Sequence, residues 1–245
     1  MKKSIAKLLA AQYPSRRKSH FPLDLVYASY TPHWVGQVGS FISPKKNLTM
    51  SELEKIKKLM LKHKLTNPLG KDRPFIQVLS RRERERMQKL GFKEIADFEY
   101  IVYNNVDNYP LEENFSAEVG HFSNSALLKE LVEVGETCFP GINYRKIVPV
   151  YIKELVGTSL ITLIKNSRGK TVAAGGANIG REGITLLFSG GVLPRYRSQG
   201  LWRMMNAARM KYSLELGAKS WFFTTTNDQL KSQGQRQVNV RVFEL

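Results

Sequence analysis

The sequence predicts a mixed α/β protein of the α+β kind, in which a mostly antiparallel sheet is flanked by helices. Short runs rich in β-branched and aromatic residues alternate with helical patterns along the 245-residue chain. Residues 159–193 hold three such runs, separated only by turns at 166–169 and 180–183, which predicts an antiparallel meander. One helical pattern then separates 184–193 from the run at 219–226, which predicts a right-handed parallel crossover.

The composition is that of a globular chain with a sizeable core. Apolar residues make up 42% of it, and no run of about eighteen apolar residues predicts a membrane span. The only cysteine, Cys138, excludes an internal disulfide, which favours a reducing, cytoplasmic setting. We expect this side chain to act as a small buried hydrophobe, and no metal site is predicted.

The net charge of +17 is the most unusual feature of the composition. Residues 1–110 carry 21 Lys and Arg against 10 Asp and Glu, a net +11, so the excess is concentrated in the first half. So basic a chain attracts polyanions without any specific site. Nucleic acid, an acidic protein, an anionic membrane surface and the phosphates of a small ligand are therefore all candidate partners, and charge does not choose among them.

The first hundred residues divide into a basic arm and a small α/β lobe. We predict a basic N-terminal arm or helix at residues 1–22, with a transit peptide as the alternative. Its basic side chains are Lys2, Lys3, Lys7, Arg16, Arg17 and Lys18. The lobe spans residues 23–105. Its strands are predicted within 23–43 and at 75–79 and 96–103, and its helices at 49–65, opened by a capping box of Thr49 and Glu52, and at 81–90, closed by Gly91.

The second half is predicted as a separate domain, residues 115–245, joined to the lobe by a linker at 106–114. Around the meander at 159–193 we expect further elements on both sides. These are a strand at 115–122, helices at 125–139, 144–155 and 201–216, and strands at 219–226 and 238–243.

The turn between the meander and the helix at 201–216 is the segment most indicative of ligand binding. It carries Arg195 and Arg197 and ends at Gly200. A strand that enters a helix through a short turn leaves the first helical N–H groups unpaired and directed at one point, where the helix dipole favours an anion. Gly200 lets another molecule approach the main chain because it has no Cβ.

This turn resembles a known family. The string Val192-Leu193-Pro194-Arg195-Tyr196-Arg197-Ser198-Gln199-Gly200-Leu201 is similar to the acetyl-CoA loop of the GNAT superfamily of N-acetyltransferases, V-x-P-x-Y-R-x-x-G-x-G/A. The resemblance implies that main-chain groups of Val192 and Leu193 orient the thioester. It also implies that the pyrophosphate lies against Arg197, Ser198, Gln199, Gly200, Leu201 and Trp202. Trp202 departs from the family pattern, which has a small residue at that position.

The first lobe resembles the same family more weakly. Residues 87–100, which begin Met87-Gln-Lys-Leu-Gly-Phe92, are similar to the closing helix, turn and strand of a GNAT domain. The chain would then be a tandem of a degenerate and a cofactor-binding lobe, or else carry an unrelated first lobe. We expect the first lobe to bind no cofactor, because its turn at 44–49 has no glycine and Met87 stands where the family often has a tyrosine.

Catalytic candidates are sparse in this sequence. Glu182 is a candidate base, although its place in a hairpin also fits a simple turn carboxylate, and Asn227 stands where the family's last helix contacts the cofactor. After residue 228, the Y-x-K-L-G-F string and the final strand that usually close the family's fold are missing, and only the strand at 238–243 remains. The resemblance implies an N-acyltransferase that moves an acetyl group from acetyl-CoA, or another acyl group from its CoA ester, to an amine acceptor. The alternative is a non-catalytic module on the same scaffold, with a basic surface for nucleic acid or an acidic partner.

Overall fold

The computed structural model describes residues 26–29, 41–44, 49–63, 75–78, 81–103, 106, 109–110, 113–141, 143–145, 148, 157–180, 183–225 and 236–244. The chain forms two compact units. The first consists of residues 1–101 together with 224–245, and the second of residues 102–223. The predicted arm at 1–22 lies outside the described residues.

Four helices and ten strands are described. In chain order they are β1 (Val26–Ser29), β2 (Phe41–Pro44), α1 (Met50–His63), β3 (Phe75–Val78), α2 (Arg81–Lys89), β4 (Lys93–Tyr103), β5 (Phe115–His121), α3 (Ser125–Cys138), β6 (Thr158–Asn166), β7 (Thr171–Ile179), β8 (Ile184–Val192), α4 (Leu201–Glu215), β9 (Ser220–Thr225) and β10 (Arg236–Glu244). These spans confirm the predicted elements to within a few residues at each end. Of the helix predicted at 144–155, the described residues Tyr144, Arg145 and Val148 are helical.

The first unit contains two groups of strands. Strands β1 and β2 pair antiparallel, while β10 lies between β3 and β4 and pairs antiparallel with β3. The predicted capping box of α1 is confirmed, because the Thr49 N–H donates to Glu52 Oε2 at 2.8 Å and the Glu52 N–H donates to Thr49 Oγ1 at 3.2 Å. Gly91 ends α2 with a φ of 81°, a left-handed conformation that glycine adopts without strain.

The two compact units group the C-terminal strand with the first part of the chain, and the predicted domain division stays a prediction. The sequence assigned residues 115–245 to one domain, whereas residues 224–245 belong to the first unit. The physical reason is strand pairing, since Arg241 of β10 lies opposite Val78 of β3. The predicted linker also divides differently, because residues 106–114 fall within the second unit.

The second unit contains five neighbouring strands of the sheet, in the order β9-β8-β7-β6-β5. Strands β5 to β8 pair antiparallel in sequence, and β9 is parallel to β8, so the mostly antiparallel sheet and the parallel crossover are both confirmed. Successive residues of a strand face opposite sides of a sheet. Gly190 faces Met205 of α4 and Gly191 faces Cys138 of α3, so the two helices cover opposite faces.

Helix α4 is fixed to the sheet by apolar packing and by a buried hydrogen bond. Leu201, Met204 and Met205 are at most 1% exposed and pack against β6 and β7 side chains. At the far end of the helix, the indole N–H of Trp221 on β9 donates to Ser213 Oγ at 2.6 Å, and both residues are buried.

Among the helices described, none is long and apolar enough to span a bilayer.

Replacing Ser213 with alanine is expected to destabilise the second unit. The substitution removes the acceptor of the Trp221 N–H and leaves a buried donor without a partner, which costs about 1–3 kcal/mol. Chemical denaturation followed by tryptophan fluorescence measures the loss. Lys211→Ala, at an exposed position on the same helix, is the control and is expected to change the free energy of unfolding by less than about 0.5 kcal/mol. Equal stability of both variants would contradict the assigned role of the hydrogen bond.

Candidate functional site

Toward its C-terminal end, one edge of strand β8 has no partner strand among the described residues. The parallel register joins Ile184 to Ser220, Thr185 to Trp221 and Leu186 to Phe222, and the described pairing with β9 goes no further. Strand β8 nevertheless continues to Val192, paired with β7 on its other side. Unpaired strand edges present rows of N–H and C=O groups to any extended ligand.

Val192 directs its main chain toward this open edge. The Leu193 N–H donates to the Val172 carbonyl at 2.9 Å, while Val192 lies opposite Ala173. Because hydrogen-bonded and non-bonded pairs alternate in an antiparallel ladder, the N–H and C=O of Val192 point away from β7. The C=O accepts a hydrogen bond from Arg197 Nε at 3.2 Å. The Leu193 N–H is thus already paired within the sheet, and the Val192 N–H is the group that points outward.

A β-bulge lies two residues before Val192. Gly176 is opposite Phe188 and Ala174 is opposite Gly191, so Ser189 and Gly190 together oppose the single residue Gly175. Ser189 has a φ of 51°, an uncommon conformation for a residue other than glycine. Bulges redirect main-chain groups and are frequent beside active sites. The bulge therefore alters the direction of the strand edge next to the opening between β8 and β9.

The turn that follows β8 has the main-chain geometry of an anion-binding turn. Residues Pro194–Tyr196 form a 3-10 helix, Ser198 has a φ of 64°, and Gly200 is left-handed with φ 71° and ψ −4°. A left-handed residue followed by a right-handed helical one directs neighbouring N–H groups into a common concavity. No side chain of the described residues caps α4 at its N-terminus, and the first helical hydrogen bond is from the Met204 N–H to the Gly200 carbonyl at 3.1 Å. The earlier N–H groups of this helix thus lack a capping side chain.

Two tyrosines hold this turn in place. The Tyr196 hydroxyl accepts a hydrogen bond from Asn166 Nδ2 at 3.3 Å, which ties the turn to the hairpin between β6 and β7. Tyr109 packs against Gly200 so closely that a Cβ there would overlap its hydroxyl and lie 3.1 Å from its Cζ. The guanidinium of the exposed Arg203 stacks on the Tyr109 ring, 4.4 Å from the ring centroid, in a cation–π contact.

The remaining predicted residues of the turn are accessible. Arg195, Arg197, Ser198 and Gln199 are exposed, whereas Leu201 is buried in the core. Arg197 also lies beside Cys138, where burial raises the pKa of the thiol and the guanidinium opposes that rise. The turn therefore offers two exposed arginines and a run of main-chain N–H groups on one side of the helix N-terminus.

Trp202 lies against the sheet rather than in the turn. Its ring centroid is 5.1 Å from that of Phe223 on β9, in an edge-on arrangement, and its Nε1 is 3.4 Å from the position of a Cβ on Gly190 of β8. The half-buried indole therefore spans the two strands just beyond their last described pair. A bulky side chain at a position where the resembled family has a small residue is thus accommodated without filling the turn.

Arg209 is a feature of the site that sequence reasoning missed. It is 1% exposed, and its Nη1 donates to the carbonyls of Gly176 at 2.9 Å and Phe188 at 3.3 Å, while its Nη2 donates to Asn206 Oδ1. Burial lowers the pKa of Arg209 to about 9, so the side chain keeps its charge at neutral pH. An arginine within an amphipathic pattern ordinarily predicts an exposed residue. Gly175 and Gly190 were the available signal, because they leave room on this face of the sheet for a large side chain.

The catalytic candidates named from the sequence are not placed by the structure. Glu182 and Asn227 lie outside the described residues. Tyr144 lies beside Ser189, and burial raises the pKa of its hydroxyl to about 12, so it is protonated at neutral pH. Across the part of the chain that the structure describes, no group of three or more His, Cys, Asp or Glu side chains is arranged to hold a metal ion.

Comparison with known proteins identifies the fold. No protein-family model and no curated protein sequence matches the chain. Among solved structures, the chain is similar to a GCN5-related N-acetyltransferase from Kribbella flavida, with a TM-score of 0.67 and 11% identity over 98% of this chain and 94% of that one. It is also similar to a GCN5-related N-acetyltransferase from Sphaerobacter thermophilus, with a TM-score of 0.62 and 12% identity over 98% and 91% of the two chains.

A third solved structure is a tandem GNAT protein from the clavulanic acid biosynthesis pathway. Its TM-score is 0.55 at 11% identity, over 83% of this chain and 75% of that one. Likeness at such low identity shows the fold. The chain therefore has the GNAT fold, which confirms the resemblance stated from residues 192–201.

Replacing Gly200 with alanine is expected to destabilise the second unit more than the same change at Gly217. Both glycines are left-handed, with φ of 71° and 92°, so each alanine carries a backbone penalty of about 1–2 kcal/mol. Only the Gly200 variant must also displace Tyr109, which adds about 1–3 kcal/mol, because nothing lies within 4 Å of a Cβ on Gly217. Thermal and denaturant unfolding measure the difference.

A double variant isolates the contact with the tyrosine. Adding Tyr109→Ala to Gly200→Ala is expected to reduce the extra cost of the alanine, since the obstructing ring is gone. If Gly200→Ala and Gly217→Ala lose the same stability, the packing of Tyr109 against the turn is contradicted.

Proposed function

We propose that this chain is an acyl-CoA-dependent N-acyltransferase that moves an acetyl group from acetyl-CoA to an amine. One observation carries the proposal. In a GNAT fold, the edge of β8 that has no described partner strand runs directly into a turn whose N–H groups at the start of α4 have no described capping side chain. An extended arm that ends in a diphosphate needs these two features in this order.

The described residues fit such a ligand. The Val192 N–H is directed at the open edge and supports pairing with an amide of the pantetheine arm. The N–H groups that follow Gly200 support contact with the diphosphate, and the exposed Arg195 and Arg197 add two positive charges beside them. Ser198 and Gln199 are exposed on the same turn and are further proposed contacts.

Trp202 and Leu201 take different proposed roles. Leu201 is buried, so it would contribute its main-chain N–H and not its side chain. The Trp202 ring spans β8 and β9 and would form one wall of the opening that the pantetheine arm enters. A large aromatic wall favours a short acyl group, which is why acetyl is the proposed cargo.

The proposed reaction is a simple transfer between sulfur and nitrogen. The CoA thioester supplies an activated acyl group. An amine nitrogen forms a bond to the acyl carbon, the C–S bond breaks with its electron pair remaining on sulfur, and the proton lost by the amine ends on that sulfur. The chain's contribution is to hold both reactants in line, and such positioning supplies a large part of the rate enhancement in transfer reactions.

Proton removal from the amine is assigned less directly. We propose Glu182 as the base, from its position in the sequence just before β8, and Asn227 as a further cofactor contact, from the family resemblance. The acceptor remains open between a protein N-terminus, a lysine side chain, an aminoglycoside, a polyamine and a charged tRNA. A net charge of +17 favours an anionic acceptor over a polycation.

Replacing Arg197 with alanine is expected to weaken acetyl-CoA binding by about 10- to 100-fold. The change removes a charged donor beside the proposed diphosphate position, and hydrogen bonds to charged groups contribute about 1.5–3 kcal/mol each. Isothermal titration calorimetry with acetyl-CoA measures the dissociation constant. Arg168→Ala removes the same charge from an exposed position on the β6–β7 hairpin and serves as the matched control, with less than about a threefold change expected.

Activity is tested by thiol release from acetyl-CoA in the presence of a panel of amines, with mass spectrometry of the acceptor. The panel contains a lysine peptide, a peptide with a free N-terminus, an aminoglycoside, spermidine and an aminoacyl-tRNA. The absence of any heat with acetyl-CoA at the wild-type turn would refute the proposal. Binding of nucleic acid with a strong salt dependence, together with no thiol release, would favour the non-catalytic alternative.

A further inference from the structure

Arg209 is a buried cation whose described partners are all uncharged. Its Nη atoms donate to the main-chain carbonyls of Gly176 and Phe188 and to the amide oxygen of Asn206. Its Nε has no hydrogen-bond partner among the described residues, nor has Asn206 Nδ2. Burying a charge raises the free energy of the folded state unless a nearby charge of opposite sign offsets the lost hydration. Stability alone is therefore a poor explanation for an arginine at this position.

The strands make room for this guanidinium at two glycines. A Cβ on Gly175 of β7 would lie 2.7 Å from Arg209 Nη1, and a Cβ on Gly190 of β8 would lie 3.5 Å from Nη2. Gly175 and Gly190 are the residues that oppose each other at the bulge. The guanidinium therefore lies directly under the bulge, on the face of the sheet that α4 covers.

The contacts of Arg209 fix the bulge from both strands. The carbonyls of Gly176 and Phe188 belong to the last paired residues before the bulge, and one guanidinium group joins them. Both bonds come from Nη1, while Nη2 donates to Asn206, so the planar guanidinium holds Nη1 in a fixed direction, which a single ammonium group does not. The bulge in turn determines the direction of the main chain at Ser189 and Gly190, which border the open edge of β8.

We propose that Arg209 is a positioning residue for acyl transfer, which fixes the Ser189–Gly190 bulge and places a positive charge beneath it. Negative charge develops on the acyl oxygen while the amine attacks, and a buried cation close to that oxygen stabilises it strongly because the surroundings have a low dielectric constant. The inference rests on the proposed function, since it assumes that the acyl group lies at the open edge of β8.

Asn206→Asp separates the charge of Arg209 from its structural role. The aspartate keeps the acceptor for Nη2 but adds a negative charge that neutralises the guanidinium. A purely structural role predicts equal or higher thermal stability and an unchanged kcat. The proposal predicts the same stability but a kcat for thiol release lowered about 10-fold or more, with the KM for acetyl-CoA within about threefold of the wild type.

Arg209→Lys tests the positioning of the bulge. Lysine keeps the charge but has one nitrogen in place of two, so it loses the Nη2 bond to Asn206 that holds Nη1 between the two carbonyls. Faster amide hydrogen exchange is therefore expected in the peptide covering residues 184–193, together with a lower kcat. Asn206→Asp is expected to leave that exchange unchanged. Lys211→Met, at an exposed site on the same helix, is the control and is expected to alter neither exchange nor kcat.

The outcomes distinguish this inference from the proposed function. If the wild type binds no acetyl-CoA, the proposed function is contradicted, and so is the inference, because it depends on that function. If the wild type binds and releases thiol while folded Asn206→Asp keeps its kcat, only the inference is overturned. If Asn206→Asp does not fold, Arg209→Lys decides, and a kcat and an exchange rate equal to those of the wild type overturn the inference.

Discussion

The divergence of β8 from β9 is the constraint on which the rest of the site depends. Two parallel strands that pair at only three described positions leave main-chain groups of β8 without a neighbouring strand. Buried main-chain groups need partners, and in an open edge a ligand can supply them. The turn after Val192 then starts a helix with no capping side chain. Both features belong to the backbone, so they tolerate wide change in side chains, in keeping with a shared fold at 11–12% identity.

The opening is lined by side chains that differ from the resembled family pattern. Trp202 packs on Phe223 and reaches Gly190, so a residue that breaks the motif becomes part of the wall between the two strands. Tyr109, from the segment before β5, packs against Gly200 and is itself covered by Arg203. These side chains surround the opening and, under the proposed function, would help to select its ligands, because such selection depends on the site and not on the fold.

Sequence patterns determined most elements of this protein because those elements are locally encoded. The capping box at Thr49 and Glu52, the glycine at 91 and the two hairpin turns of the meander each act within a few residues, and the structure places all of them as expected. The turn at 194–200 was recognisable for the same reason, since its glycine and its basic residues are contiguous.

Contacts between distant residues were decided only by the tertiary structure. Strand β10 pairs with β3 across more than 150 residues, which no local pattern encodes, so the sequence could not predict this pairing. The Leu193 N–H was expected to contact a ligand. Its hydrogen-bond acceptor is the Val172 carbonyl of another strand, and the sequence does not show this pairing. Arg209 followed the pattern of an exposed helical residue, and only the packing of α4 over Gly175 and Gly190 reveals that its charge is buried beneath the bulge. Local chemistry thus encodes the helices, strands and turns, while pairing and burial determine which groups are free to act.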